Sequence, residues 1–273
     1  MLKFLNYSFE TGKKTYLMGI LNVTTDSFFD GGKYNSQESA LSHYMDMLNE
    51  GADIIDIGAQ STRPGHKHLT SDEELNIIKE YLPYLYDKKK APISVDTFYP
   101  QVAEYAVNNG ACIINDVSGV FNPEMAEIVR KYKCGWVITH TAGSDSSHPL
   151  KYKDGIIPAV NEFFDEMKEK CVNADISLNQ LIFDPGIGFG KDCNDDSIIL
   201  KNFELLNKDI PLLLACSSKR VIGYLTGAEL EDRLYGTIAA NLLASEKGAD
   251  FIRVHNVKEN KLALKLADAL LRS

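Results

Sequence analysis

The chain has 273 residues, 44% of them hydrophobic and 10% aromatic, which is enough to bury one large core and suits a single α/β domain. Its formal charge of −9 excludes generic binding to nucleic acid or an anionic membrane, because most of the surface repels phosphate, so any anion must be met by a local cluster of cations. No apolar run reaches the roughly 18 residues of a membrane span, the N-terminus lacks a signal-peptide core, and five scattered cysteines form no C-x-x-C; a cytoplasmic protein with reduced thiols is expected.

In chain order, residues 1–14 alternate around a Thr11-Gly12 turn and predict a small hairpin. Tyr16 to Leu21 is the first core strand. Ser36 to Glu50 is a helix with Ser36 as N-cap, ended by Gly51. Asp53 to Ile57 is the second strand, followed by a polar loop and a helix that opens on a capping box at Ser71-Asp72-Glu73-Glu74 and runs to about Tyr81. Ile93 to Val95 is the third strand. Pro100, at the first helical position, starts a helix to Asn108, and Ile113 to Ile114 leads a fourth strand into Asn115-Asp116. Asn122-Pro123 starts a helix ending near Lys131; Trp136 to Ile138 is strand five; Pro158 to Asn173 is an amphipathic helix; Leu181 to Phe183 is strand six. A helix over Ser197 to Leu206 precedes strand seven, Leu212 to Ala215. A helix from about Leu230 to Glu246 precedes strand eight, Phe251 to Arg253, and Lys258 to Leu271 closes the chain. Eight βα units predict an α/β fold of the (β/α)8 TIM barrel type with a short N-terminal hairpin; a doubly wound open sheet is the alternative built from the same units.

In such a barrel the C-terminal ends of the strands converge on one face, so the residues after each apolar run become neighbours. They are Asn22, the Gln60 to Gly65 loop, Asp96, Asn115 and Asp116, His140, Asp184, Ser217 to Arg220, and Arg253 with His255. The sixth of these ends is the most informative. Leu181 to Lys191 reads L-I-F-D-P-G-I-G-F-G-K, a buried strand that stops at Asp184 and runs into a glycine-rich loop able to approach a ligand closely. Asp96, Asn115, Asp184 and Lys219 together offer two acids, an amide and a cation, which suits a planar heterocycle carrying amino, ring N–H and carbonyl groups. Arg63, Arg253 and His255 suit phosphate oxygens, and Asn22 adds a hard oxygen ligand for Mg²⁺.

These motifs identify a resemblance. M-G-I-L-N-V-T-T-D-S-F-F-D-G-G from Met18, S-T-R-P-G from Ser61, V-D-T from Val95, N-D-V-S-G from Asn115, D-P-G-I-G-F-G-K from Asp184 and R-V-H from Arg253 resemble the dihydropteroate synthase family along nearly the whole chain. The resemblance implies a barrel enzyme that condenses 6-hydroxymethyl-7,8-dihydropterin pyrophosphate with p-aminobenzoate, with Mg²⁺ dependence, a homodimer and sensitivity to sulfonamides. Carried over, it implies Asp96, Asn115, Asp184 and Lys219 as pterin contacts, and Asn22, Thr62, Arg63, Arg253 and His255 at the pyrophosphate, with Asn22 on the metal. Arg63, Pro64, Phe189 and Lys219 then lie by p-aminobenzoate, and Asp96, Asp184, Lys219 and Arg63 carry the catalysis. Asp26 falls in the family's first mobile loop.

Departures from the family pattern concentrate on the acceptor side. Thr25 and Phe29 stand where the first loop has Pro and Ser, and Gln60 replaces a Glu. Thr139 and Thr141 replace methionines around His140, and Ser218-Lys219-Arg220 reverses the usual R-K-S, which makes Arg220 the expected partner of the acceptor carboxylate. Two other functions share the pterin acids: a corrinoid-dependent methyltransferase, which has no use for S-T-R-P-G or the R-V-H group, and a weakly active pterin-binding paralogue.

Overall fold

Strand after strand, the chain alternates side chains between two apolar environments. In the computed structural model, which describes residues 1–23, 36–60, 69–88, 91–141 and 150–272, this alternation builds the predicted barrel. A two-stranded hairpin, β1 (Leu2–Phe4) and β2 (Tyr7–Phe9), comes first, then β3 (Tyr16–Asn22), α1 (Gln37–Glu50), β4 (Ile54–Gly58), α2 (Ser71–Lys88), β5 (Ile93–Asp96), α3 (Pro100–Asn108) and β6 (Ile113–Asp116). There follow α4 (Pro123–Tyr132), β7 (Gly135–Thr139), α5 (Ile156–Asn173), β8 (Leu181–Asp184), α6 (Cys193–Lys201), β9 (Leu213–Leu214), α7 (Arg220–Thr226), α8 (Leu234–Glu246), β10 (Phe251–Val254) and α9 (Val257–Leu271).

The sheet order is β8-β7-β6-β5-β4-β3-β10-β9, with all neighbours parallel. A bridge between Phe183 and Leu212, with Phe183 N–H donating to Pro211 O at 2.9 Å, joins β8 to the segment entering β9 and closes the ring. That closure rules out the open doubly wound sheet. Residues such as Leu17, Ile55, Val95, Ile114, Trp136 and Leu214 face the helices, while Met18, Ile54, Ile113, Val137, Ile182 and Phe251 fill the barrel interior. Burying each of these side chains contributes roughly 1.5–3 kcal/mol.

The hairpin plugs the N-terminal end of the barrel: Phe9 packs edge-on to Tyr16, and Tyr16 stacks on Phe251 with centroids 5.3 Å apart. Its turn is Leu5-Asn6, with Leu5 at φ 51°, because Phe4 pairs directly with Tyr7. Thr11-Gly12 instead joins the hairpin to β3, with Gly12 N–H bonded to Asp250 Oδ1 at 3.1 Å.

Several helix boundaries differ from the sequence expectation, among them the end of α6, which stops at Lys201 and not at Leu206. The capping box of α2 is formed by Thr70 and Glu73, not Ser71: Glu73 N–H donates to Thr70 Oγ1 and Thr70 N–H to Glu73 Oε2. This helix also runs through Pro83 to Lys88, since Leu82 and Leu85 are buried on either side of the missing hydrogen bond. Asp192 caps α6 by accepting from Asp195 N–H at 2.8 Å, so the helix starts four residues before Ser197. After β9 the chain forms a separate helix, α7, and residues 230–232 make one 3-10 turn before α8. Periodicity missed α7 because it is only seven residues long.

Candidate active site

The two faces of each strand decide what the site contains. Asn22, Asp56, Ser94, Asp96, Asn115, Thr139, Asp184 and Arg253 share strand parity with the apolar interior residues and stand above them as a polar layer at the C-terminal end. Asp116 and His140 have the opposite parity. Asp116 accepts from Trp136 Nε1 at 3.4 Å and from Ser118 N–H, which makes it part of the outer packing. His140 packs edge-on against Phe163 of α5, and its burial, together with the nearby Lys191, holds its pKa down at about 3. Both are strand-end polar residues that serve structure.

Within the polar layer, Arg253 Nε donates to Asp56 Oδ2 at 2.7 Å and Nη2 to Asp96 Oδ2 at 2.9 Å. Asn115 Nδ2 donates to the same Asp56 oxygen at 3.1 Å. The residues thus form one network linking β4, β5, β6 and β10. Arg253, grouped by sequence with the phosphate ligands, is geometrically the counter-ion of two buried acids, leaving Nη1 outside these bonds. Burial pushes Asp96 up to about 7; Arg253 pulls it down, and Asp56 pushes it further up. A carboxyl poised there can switch between accepting and donating hydrogen bonds near neutrality.

On the opposite side of the ring, Asp184 Oδ1 accepts from Gly186 N–H at 2.7 Å, and burial raises its pKa against the pull of Lys219. The loop must contain glycine at 186: φ is +69°, and a Cβ would stand 1.9 Å from His140 O. Lys219 Nζ donates to Ile187 O at 2.5 Å and lies 4.6 Å from the centre of the Phe189 ring, so the expected Phe189–Lys219 pair is assembled. Burial lowers the Lys219 pKa, which Asp184 and Asp196 oppose. His255 Nδ1 is hydrogen-bonded to Ser217 Oγ at 3.0 Å, and Arg220 is the exposed first residue of α7.

Asn22 closes the ring beside Asp96. Its Oδ1 and Asp96 Oδ2 lie 3.4 and 3.9 Å from where a Cβ on Gly58 would stand. Because Asp96 Oδ2 already accepts from Arg253, Asn22 Oδ1 is the hard oxygen here that suits Mg²⁺, which keeps most of its shell as water and phosphate. Among the described residues no group of three His, Cys, Asp or Glu side chains forms a self-sufficient metal site. Thr62, Arg63 and Pro64, with Asp26, Thr25 and Phe29, lie outside the described residues.

The residue that sequence reasoning passed over is Asp56. It is fully buried and joins Arg253 to Asn115. Its signal was a carboxylate inside the apolar run I-I-D-I, where only a paired acid is tolerated. Glu74 is a second case. It sits on the buried face of α2, accepts from Gln60 Nε2 at 2.7 Å, and is pushed up to about 7 by burial.

Residues 18–255 match the model of the family described as pterin binding enzyme. A dihydropteroate synthase of Bacillus subtilis is 39% identical over 95% of this chain and 90% of its own length. Two solved structures superpose closely. The dihydropteroate synthase of Clostridium difficile, solved in the presence of pteroic acid, has a TM-score of 0.90 and 39% identity over 97% of this chain and all of its own. That of Xanthomonas albilineans, in complex with 7,8-dihydropteroate, has a TM-score of 0.84 and 35% identity over 96% and 95%. With the barrel, the polar layer and this full-length similarity in agreement, the chain belongs to the dihydropteroate synthase family of pterin-binding enzymes.

Proposed function

We infer that this chain is a transferase that joins 6-hydroxymethyl-7,8-dihydropterin pyrophosphate to p-aminobenzoate, yielding 7,8-dihydropteroate and pyrophosphate for folate synthesis. The observation that carries the inference is the buried ring of Asp56, Asp96, Asn115 and Asp184 facing Lys219 and Arg253. Carboxylates accept N–H groups of a pterin, an amide and an ammonium serve its carbonyl and ring nitrogen, and the surplus of acids favours positive charge on the heterocycle as pyrophosphate leaves. The departing anion would be met by His255, by Nη1 of Arg253 and by Arg63, with Asn22 supplying the protein oxygen to Mg²⁺. Bound Mg²⁺ supplies charge neutralisation on the leaving group.

Pyrophosphate release, measured with and without Mg²⁺ and p-aminobenzoate, tests this. Release that requires both is expected. Release without p-aminobenzoate, or pterin binding with no release, would point to a different acceptor or to an inactive paralogue. A methyltransferase is not favoured, since the full-length relatives make or bind dihydropteroate.

On the acceptor side, Arg220 at the start of α7 is the cation available for the p-aminobenzoate carboxylate, close enough to Asp196 and Cys193 to influence both. Arg220→Ser is expected to raise the p-aminobenzoate KM about 5–10-fold, on the order of 1 kcal/mol for one exposed charge-assisted contact, with kcat and Tm unchanged. An unaltered KM would remove Arg220 from the subsite.

A homodimer is supported by the exposed apolar residues on one side of the barrel: Tyr224, Leu225, Tyr235 and Leu243 on α7 and α8, and Leu262 and Leu266 on α9. Among the described residues no helix is long and apolar enough to cross a membrane. The five free cysteines suit a reducing, cytosolic compartment.

A further inference from the structure

Lys191 takes no part in the scheme above, yet it is fully buried. Its Nζ donates to three main-chain carbonyls, those of His140 at 2.8 Å, Gly186 at 2.9 Å and Phe189 at 3.3 Å. Three donors require the ammonium form. Burial opposes that form and holds the Lys191 pKa down to about 7, against the pull of Asp196 and Asp184. An apolar side chain would fill the same space without that desolvation cost. What only the ammonium can do is draw three carbonyls to one point.

Those carbonyls belong to the end of β7 and to both ends of the Gly186–Phe189 turn. The same turn holds two site groups. Gly186 N–H binds the Asp184 carboxylate at 2.7 Å, and Ile187 O binds the Lys219 ammonium at 2.5 Å, which also lies over the Phe189 ring. A second anchor grips the turn at its middle, where Gly188 N–H donates to Asp196 Oδ1 at 2.8 Å. Asp196 is itself buried on α6. Asp184 and Lys219 come from different strand ends, β8 and the loop after β9, so their relative placement passes through this turn.

We propose that Lys191 is a positioning residue. Its ammonium clamps the Gly186–Phe189 turn to the end of β7, with Asp196 as the second anchor, and so fixes Lys219 relative to Asp184. The proposal rests on the synthase function, in whose assay it is read.

The test is Lys191→Met, which keeps most of the side-chain stem and removes its donors. A misplacement of about 1 Å can cost 10²-fold in rate, so kcat is expected to fall about 30–100-fold in protein that remains folded by circular dichroism. The pH profile separates positioning from general weakening. Lys219 faces Asp184, Asp196, Arg253, Cys216 and the Lys191 ammonium itself. Losing the Ile187 carbonyl and the Phe189 ring disfavours its charged form, whereas removing the Lys191 charge by itself favours it; loss of positioning is expected to outweigh that relief and move the basic limb of kcat/KM to lower pH. Lost rate with a basic limb that is unmoved or moves to higher pH, as loss of the Lys191 charge alone would give, or an unchanged kcat in folded protein, overturns the proposal. If Lys191→Met does not fold, the other anchor decides. Asp196→Ala, which abandons Gly188 N–H, should lower kcat about 10-fold, and Asp196→Asn, which keeps an acceptor, should restore it; equal activity in the two variants overturns the proposal. Absence of any transfer by the unsubstituted enzyme would instead defeat the synthase function, and binding of the pterin pyrophosphate by calorimetry tells the two failures apart.

Discussion

Lys219→Met and Asp184→Asn are each expected to lower kcat/KM by roughly 10²–10³-fold, about 2.7–4 kcal/mol of transition-state stabilisation, as when one preorganised donor or charge is removed from a water-excluded site. The stability change should be small by comparison. Burial depresses the Lys219 pKa and raises that of Asp184, so each ion is held in its charged form at some expense to folding. Methionine keeps most of the lysine stem, and asparagine keeps an oxygen to accept from Gly186 N–H. Steady-state kinetics beside thermal unfolding checks this. A loss of activity that merely tracks unfolding would assign both residues to structure, and folded variants with near-native kcat/KM would remove them from the chemistry. The double variant should fall less than the sum of the singles, because the two charges act on one substrate.

Arg253→Ala is expected to behave differently, costing stability as well as activity. The guanidinium bridges Asp56, fully buried, and Asp96, nearly so. Removing one partner of a buried ion pair typically destabilises by about 3–5 kcal/mol because the other charge is left unmatched. The sign with pH follows from Asp96, whose folded pKa already stands near 7, above its ordinary value of 3.8. A carboxyl with a raised folded pKa loses stability as pH climbs from its unfolded pKa through its folded one. Without Arg253 that folded pKa rises further, so the window widens upward. The deficit of the variant against the unsubstituted enzyme should therefore be greatest near pH 8 and shrink toward pH 5, where the acid is protonated in both. Urea unfolding at the two pH values checks it. A deficit independent of pH would mean that Arg253 acts through packing and not as the counter-ion of these acids.

The contrast between the two experiments locates the division of labour in the ring. Asp184 and Lys219 are held by main-chain groups of the glycine-rich turn and keep further acceptor and donor positions for a ligand; Arg253, Asp56, Asp96 and Asn115 are already bonded to one another. A pterin entering this ring must exchange some of those bonds for its own. That exchange is cheapest where a carboxyl can take or give a proton, which is the condition burial imposes on Asp96.

The sequence by itself determined the eight βα units, their order along the chain, and the fact that polar groups end nearly every strand; closure into a barrel rather than an open sheet was decided by the bridge between Phe183 and Leu212. Apolar runs of strand length, caps such as Ser36 and Asn122, and C-terminal glycines are local signals, written within a few residues of what they specify. It also carried the motifs that place Asp96, Asn115, Asp184, Lys219 and Phe189 together. What only the tertiary structure decided is which way each strand-end residue turns and what it meets. Asp116 and His140 stand at the ends of β6 and β7 beside Asn115 and Thr139, yet parity sends them outward to Trp136 and Phe163. Asp56 was hidden inside an apolar run, and Arg253, an apparent phosphate ligand, spends two of its nitrogens on acids 197 and 157 residues away in sequence. The short α7 and the Thr70 cap escaped periodicity, since a helix of two turns and a one-residue shift of a cap lie below its reach. The physical reason is common to all of these. Local propensity acts between neighbours in the chain, whereas the partner of a buried charge is chosen by closure of the barrel, which brings residues far apart in sequence into a space too dry to leave any of them unpaired.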